Sequence, residues 1–90
     1  MAKQVRPLDT PDLQAPFSAE LLGQAIRARR TQSGLRLEDA AALCGVAKQT
    51  LMKIEHGQET TQLGSILQVC AGLGIRLSIA PWHEASDDWT

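Results

Sequence analysis

No run of apolar residues in this chain approaches the roughly 20 needed to cross a bilayer, and the N-terminus lacks the apolar core of a secretory leader. A soluble protein of the reducing cytoplasm is the expectation. Cysteine is scarce: Cys44 and Cys70 belong to no Cys-x-x-Cys or Cys/His ligand pattern, and each falls on an inward helical face, so both read as reduced core thiols. The two histidines, His56 and His83, stand far apart with neither a nucleophile nor a metal-ligand set around them. The expectation is therefore no catalytic residue, no metal and no cofactor, and His56 reads as a solvated helix end. Aromatics are few as well. Phe17 is the single phenylalanine, and both tryptophans, Trp82 and Trp89, stand in the last nine residues.

A chain of 90 residues allows one domain and buries a smaller fraction of its surface than larger domains do, which makes help from a second subunit plausible. The net charge of −1 argues against a generally basic nucleic-acid binder. The charges are unevenly placed, however. Between residues 18 and 80, Arg27, Arg29, Arg30, Arg36, Lys48, Lys53 and Arg76 outnumber Glu20, Glu38, Asp39, Glu55 and Glu59 by seven to five, whereas the last ten residues hold Glu84, Asp87 and Asp88 without a Lys or Arg. A mildly basic body thus carries an acidic tail, and the local field decides docking on phosphate.

The stretch from Leu35 to Gly57 organises the rest. Leu37, Ala40, Ala41 and Cys44 recur at offsets of three and four, which places them on one inward face of a helix, with Glu38, Asp39 and Ala42 outward. Gly45 follows, where a left-handed backbone is needed to stop the helix. Val46, Thr50, Leu51 and Ile54 then repeat the inward spacing, while Lys48, Gln49, Met52 and Lys53 share one exposed stripe. Two short helices joined by a glycine-containing turn, the second presenting Lys and Gln outward, match a helix-turn-helix.

Around this unit the chain divides into four parts. Residues 1–17 hold Pro7, Pro11 and Pro16 and no periodic run, so they read as an extended arm. The favoured reading of that arm is a mobile, largely solvated tail; the alternative is a phosphate or minor-groove arm carried by Lys3 and Arg6. Residues 18–74 form the helical domain. Its first helix is capped by Ser18, with Glu20 in the first turn and Phe17 as a hydrophobic staple, and Leu22, Ala25, Ile26 and Arg29 mark its inward stripe. Its last helix is capped by Thr60 or Thr61, has Leu63, Ile66, Leu67, Cys70 and Leu73 in the core, and ends before Gly74. In residues 75–80 the period changes, because Ile75, Leu77 and Ile79 alternate with Arg76, Ser78 and Ala80 up to Pro81, the pattern of a half-buried strand. A lone strand leaves a row of amides and carbonyls unpaired, and pairing with the same strand of a second copy about a two-fold axis satisfies them; the alternative is an irregular packed tail. Trp82 is then a dimer or core anchor. Residues 81–90 read as a flexible acidic tail in which Trp89 either awaits a partner's pocket or stays unbound.

The run Gly34, Leu35, Glu38, Asp39, Ala41, Gly45, Val46, Thr50, Leu51, Ile54, Glu55 and Gly57 resembles the phage-repressor-like (Xre/Cro) DNA-binding domain over roughly residues 21–74. Leu37 departs from that pattern where a phosphate-binding Gln is usual, and Ala47 where a Ser or Thr cap is common. The resemblance implies an all-α bundle of four to five helices, here with a short strand that pairs across a homodimer. It implies a sequence-specific repressor that binds double-stranded DNA at an inverted repeat through Arg36, Lys48, Gln49, Thr50, Met52 and Lys53. It also implies an Arg30–Glu55 ion pair locking the first helix to the recognition helix, the alternative being two solvated surface charges. Dimerisation falls to Ile75, Leu77, Ile79 and Trp82. The strand and Trp-bearing tail look like the antitoxins of HipA-type toxin-antitoxin modules, whose partner is a kinase-fold toxin and for which Trp89 is the candidate anchor. A stand-alone repressor and a protein-protein adaptor on the same scaffold are the competing readings.

Overall fold

The computed structural model describes residues 5–82. Among them are four helices, α1 (Ala19–Gln32), α2 (Leu37–Cys44), α3 (Lys48–Glu55) and α4 (Leu63–Leu73). None is long and apolar enough to cross a membrane. α1 starts where the Ser18 hydroxyl accepts the Leu21 N–H at 3.0 Å, satisfying one of the four amides a helix start leaves free. α1 packs chiefly on α3, and α2 packs on α3 and α4. The core is aliphatic, with Ile26, Leu51 and Val69 fully enclosed and Leu22, Ala40, Ala41, Cys44, Ile54, Cys70 and Leu73 around them. Val46, Leu35, Leu37, Ile66 and Ile75 pack against its rim.

Close helix approach explains a residue that periodicity does not single out. A Cβ added to Gly23 would lie 2.5 Å from the Ile54 carbonyl oxygen and 2.7 Å from that of Glu55. α1 therefore meets the C-terminal turn of α3 backbone to side, and glycine is what fits.

The structure departs from the expected pattern at several places. On α1 the buried residues are Leu22, Gly23, Ile26, Ala28, Arg30 and Thr31; Arg29 is exposed, and Ala25 half-buried. On α4 the inward stripe is Ile66, Val69, Cys70 and Leu73, which leaves Leu63 at 65% and Leu67 at 48% exposure. Two overlapping apolar stripes fit the helical period there, and only contact with α2 chooses between them. The cap of α4 is Gln62 rather than Thr60 or Thr61, and it makes no side-chain capping bond; the Thr61 hydroxyl donates to the Gln58 carbonyl. Trp82 is largely exposed, so it is not a core anchor, and Phe17, also exposed, lines a groove with Leu21 and Leu22; Trp89 lies outside the described residues.

The strand expected over residues 75–80 is not formed within the chain, since no strand occurs among the described residues. A ladder needs a second edge to exchange hydrogen bonds, and the helical body offers none. Ile75 is half-buried against the core, and its N–H donates to the Cys70 carbonyl at 2.8 Å. Beyond it, Leu77 and Ile79 face outward. The described part of the N-terminal arm is docked rather than free at Leu8, whose N–H donates to Thr31 Oγ1 at 3.0 Å and whose carbonyl accepts from Gln32 Nε2 at 2.7 Å. Between the arm, α1 and residues 74–78 lies an open groove of about 510 Å³, lined by apolar Leu13, Phe17, Leu21 and Leu77 and by polar residues such as Arg29 and Arg76.

Candidate nucleic-acid interface

The presentation of α3 begins at the turn before it. Gly45 adopts φ 75° and ψ 30°, the left-handed conformation in which a side chain is strained. Its N–H and that of Val46 donate to Ala42 and Ala41, closing the end of α2. The carbonyls of Cys44 and Gly45 would otherwise end unpaired. Gln68 of α4 supplies what they lack, because its Nε2 donates to both, at 2.9 and 3.0 Å. A third helix thereby holds the hinge between the other two. Gln68 was not singled out in the sequence, and no local pattern marks it, since an exposed Gln on a helix is ordinary.

From this hinge α3 runs with Leu51 and Ile54 buried. Their burial fixes the rotation of the helix, and with it the outward stripe: Lys48, Gln49, Met52 and Lys53 are all exposed, and Thr50 is half-buried at its edge. Among the described residues the ion pairs are Arg30–Glu55 and Arg36–Asp39, so neither lysine of the stripe is neutralised by a bonded carboxylate. Arg36 stands at the start of α2 with its Nε 3.1 Å from Asp39, an exposed pair worth little to stability. Neither α2 nor α3 has a side-chain cap, Arg36 and Ala47 being the residues at those positions.

The other end of α3 is locked. Arg30 Nε and Nη2 donate to the two carboxylate oxygens of Glu55 at 2.7 and 3.0 Å, while Nη1 donates to the Leu35 carbonyl at 2.9 Å. The two side chains are 10% and 6% exposed. This fork geometry is the strong form of the interaction, and it ties together the last turn of α1, the entry to α2 and the last turn of α3. Arg29, one residue earlier, donates from its Nε to the Leu73 carbonyl at the end of α4. The two buried thiols lie away from the stripe, and burial pushes both Cys44 and Cys70 above the usual thiol range, with the Cys44 charge adding to the effect on Cys70. They stay protonated at neutral pH.

Known proteins place this arrangement. The sequence profile of the family described as Helix-turn-helix domain matches residues 21–77. An uncharacterized HTH-type transcriptional regulator, y4mF, of Sinorhizobium fredii is 33% identical over 58 residues, spanning 64% of this chain and 76% of that protein. A solved structure titled MDT Protein superposes with a TM-score of 0.68 at 20% identity, over 77% of this chain and 97% of the other, and so shares its fold. With α2, the Gly45 turn and α3 inside the matched span, the chain belongs to the helix-turn-helix domain family.

Proposed function

We propose that the protein is a DNA-binding transcriptional regulator, a binding module rather than an enzyme, that places α3 in the major groove of duplex DNA. The observation that carries this reading is the exposed, unneutralised stripe of Lys48, Gln49, Met52 and Lys53 on a helix whose rotation is fixed from beneath. Lys donates to guanine O6 and N7, Gln pairs bidentately with adenine, and Met meets a thymine methyl, each specific pair giving about 1 to 3 kcal/mol of discrimination. Thr50, at the edge of the stripe, and Arg36, at the start of α2, are set for phosphate. Affinity falls steeply with salt as counterions are released. Combined Gln49→Ala and Lys53→Ala changes touch no buried atom, so operator preference should vanish while thermal unfolding stays in place. A footprint identical to the wild type's would remove α3 from the readout.

The finer reading is a cytoplasmic homodimeric repressor of the Xre type, acting as the antitoxin of a HipA-type module and controlling its own operon. Support for the dimer comes from residues 75–82, whose sequence alternates and in which Leu77, Ile79 and Trp82 are exposed beside half-buried Ile75. Two subunits joined there would set two copies of α3 about 34 to 36 Å apart, to read an inverted repeat. The toxin partner rests on the resemblance and on the tail bearing Trp89. Deleting residues 87–90 should leave DNA binding intact while weakening calorimetric binding to the kinase-fold protein encoded beside this one by about 30-fold or more. Wild-type affinity in that deletion would sink the Trp89 anchor, and a genome without such a neighbour would return the reading to a stand-alone repressor.

A further inference from the structure

Thr31 is a polar residue only 5% exposed, outside the apolar core formed among the four helices. It lies where the N-terminal arm crosses α1. The Leu8 N–H donates to Thr31 Oγ1 at 3.0 Å, and that hydroxyl in turn lies 2.9 Å from the Arg27 carbonyl to which it donates. Gln32 Nε2 donates to the Leu8 carbonyl at 2.7 Å and to Thr10 Oγ1 at 3.0 Å. These bonds give the arm a direction. The chain enters α1 at Ser18, but Leu8 and Thr10 are fastened to its last turn, so the arm runs antiparallel to α1 from Leu8 onward, and Arg6 stands two residues before that fastening. At that end of α1, Arg30 bonds the Leu35 carbonyl and Arg36 opens α2.

When a helix-turn-helix docks on DNA, the helix before the recognition helix crosses the sugar-phosphate backbone. Here that helix is α2. We propose that the docked arm is a second DNA contact, delivering Arg6 to the backbone phosphates beside the start of α2; the inference rests on the DNA-binding reading above. Arg6 is exposed and, among the described residues, in no ion pair. At most about 7 Å of extended chain separates it from the fastened Leu8, so the hydrogen bonds of Thr31 and Gln32 limit where its guanidinium can go. An arm held in advance loses less freedom on binding than a free one. A contact of this kind reads charge and not sequence.

The test measures binding of the full chain to a mixed-sequence duplex and to a duplex carrying an inverted repeat selected by the protein, across a salt series, for the wild type, Arg6→Gln, Gln32→Ala and the double variant. Both positions are exposed, and melting temperatures confirm that each variant folds. Arg6→Gln should weaken both duplexes by the same factor and lower the salt slope by about 1 per subunit bound. Gln32→Ala, which frees the arm, should lose part of the same increment, and the double variant should bind no worse than Arg6→Gln alone. A wild-type slope in Arg6→Gln overturns the arm contact, and fully additive losses overturn the role of docking. Should Arg6→Gln keep wild-type binding while Lys48→Ala with Lys53→Ala loses it, the arm fails and the α3 reading stands; a wild type that binds neither duplex overturns both.

Discussion

The helical body and the segment after Gly74 contain the same kinds of apolar side chain, and they end in opposite environments. Ile26, Leu51, Ile54 and Val69 are sealed in the core, whereas Leu77 and Ile79 face outward at 40% and 86% exposure. A helix satisfies its own backbone, so an apolar stripe on it needs nothing more than another stripe to pack on. An extended segment forms a ladder only against another edge, and otherwise turns its amides and carbonyls to water. The body therefore packs within one chain, while residues 76–82 stay exposed.

Breaking the body should cost folding stability, and the largest loss is expected at Arg30. Arg30→Met leaves the Glu55 carboxylate buried without its partner, a change that costs about 3 to 5 kcal/mol; chemical denaturation should show it, with Glu55→Gln close behind. Next comes Gly23→Ala, whose methyl meets two backbone carbonyls and forces α1 away from α3. About 1 to 3 kcal/mol is expected for such overpacking, with a loss of DNA binding as α3 shifts. Gln68→Leu should follow at about 1 kcal/mol, read in the same unfolding experiment, since two carbonyls at the hinge lose a donor but stay within reach of water.

Changes after Gly74 sharpen the contrast by leaving the subunit nearly untouched. Leu77→Pro removes an amide that the body does not use, so unfolding of the monomer should move by no more than about 0.5 kcal/mol. Under the proposed strand pairing, light scattering should report dimers for the wild type and monomers for this variant; a dimer that survives would contradict strand pairing. The smallest effect concerns pH. The folded thiols of Cys44 and Cys70 are raised above their unfolded values by burial, so their contribution is fully present below the unfolded thiol pKa of about 8.5. It is lost as pH rises through the higher folded values. A shallow fall in melting temperature above that point, absent in a Cys44→Ala, Cys70→Ala protein, is the expected outcome.

How much of this could be read from residues alone depended on whether the deciding partner was local. α2, the turn and α3 were legible, because Ala40, Ala41, Cys44, Leu51 and Ile54 keep the period and Gly45 marks the left-handed turn that joins them. On α4 the period failed to decide. Leu63 and Leu67 repeat as well as Ile66 and Val69 do, and the choice was made by where α2 lies. Gly23 and Gln68 were illegible for the same reason, since a close approach and a shared carbonyl exist only once two helices have met. In residues 75–80 alternation records what the segment can do with a second edge, and the subunit by itself does not supply that edge.

The double hydrogen bond from Gln68 has a consequence for modularity. Residues 35–57 look like a transferable recognition unit, complete with two helices and a turn. Yet the carbonyls at their hinge are served by a side chain that the unit does not contain. Grafted onto another bundle, the same 23 residues would carry their base-reading stripe but not the geometry that aims it. The smallest portable reader in this protein reaches to α4, and exchange of DNA specificity between relatives is better made by swapping Lys48, Gln49, Met52 and Lys53 in place than by moving the motif.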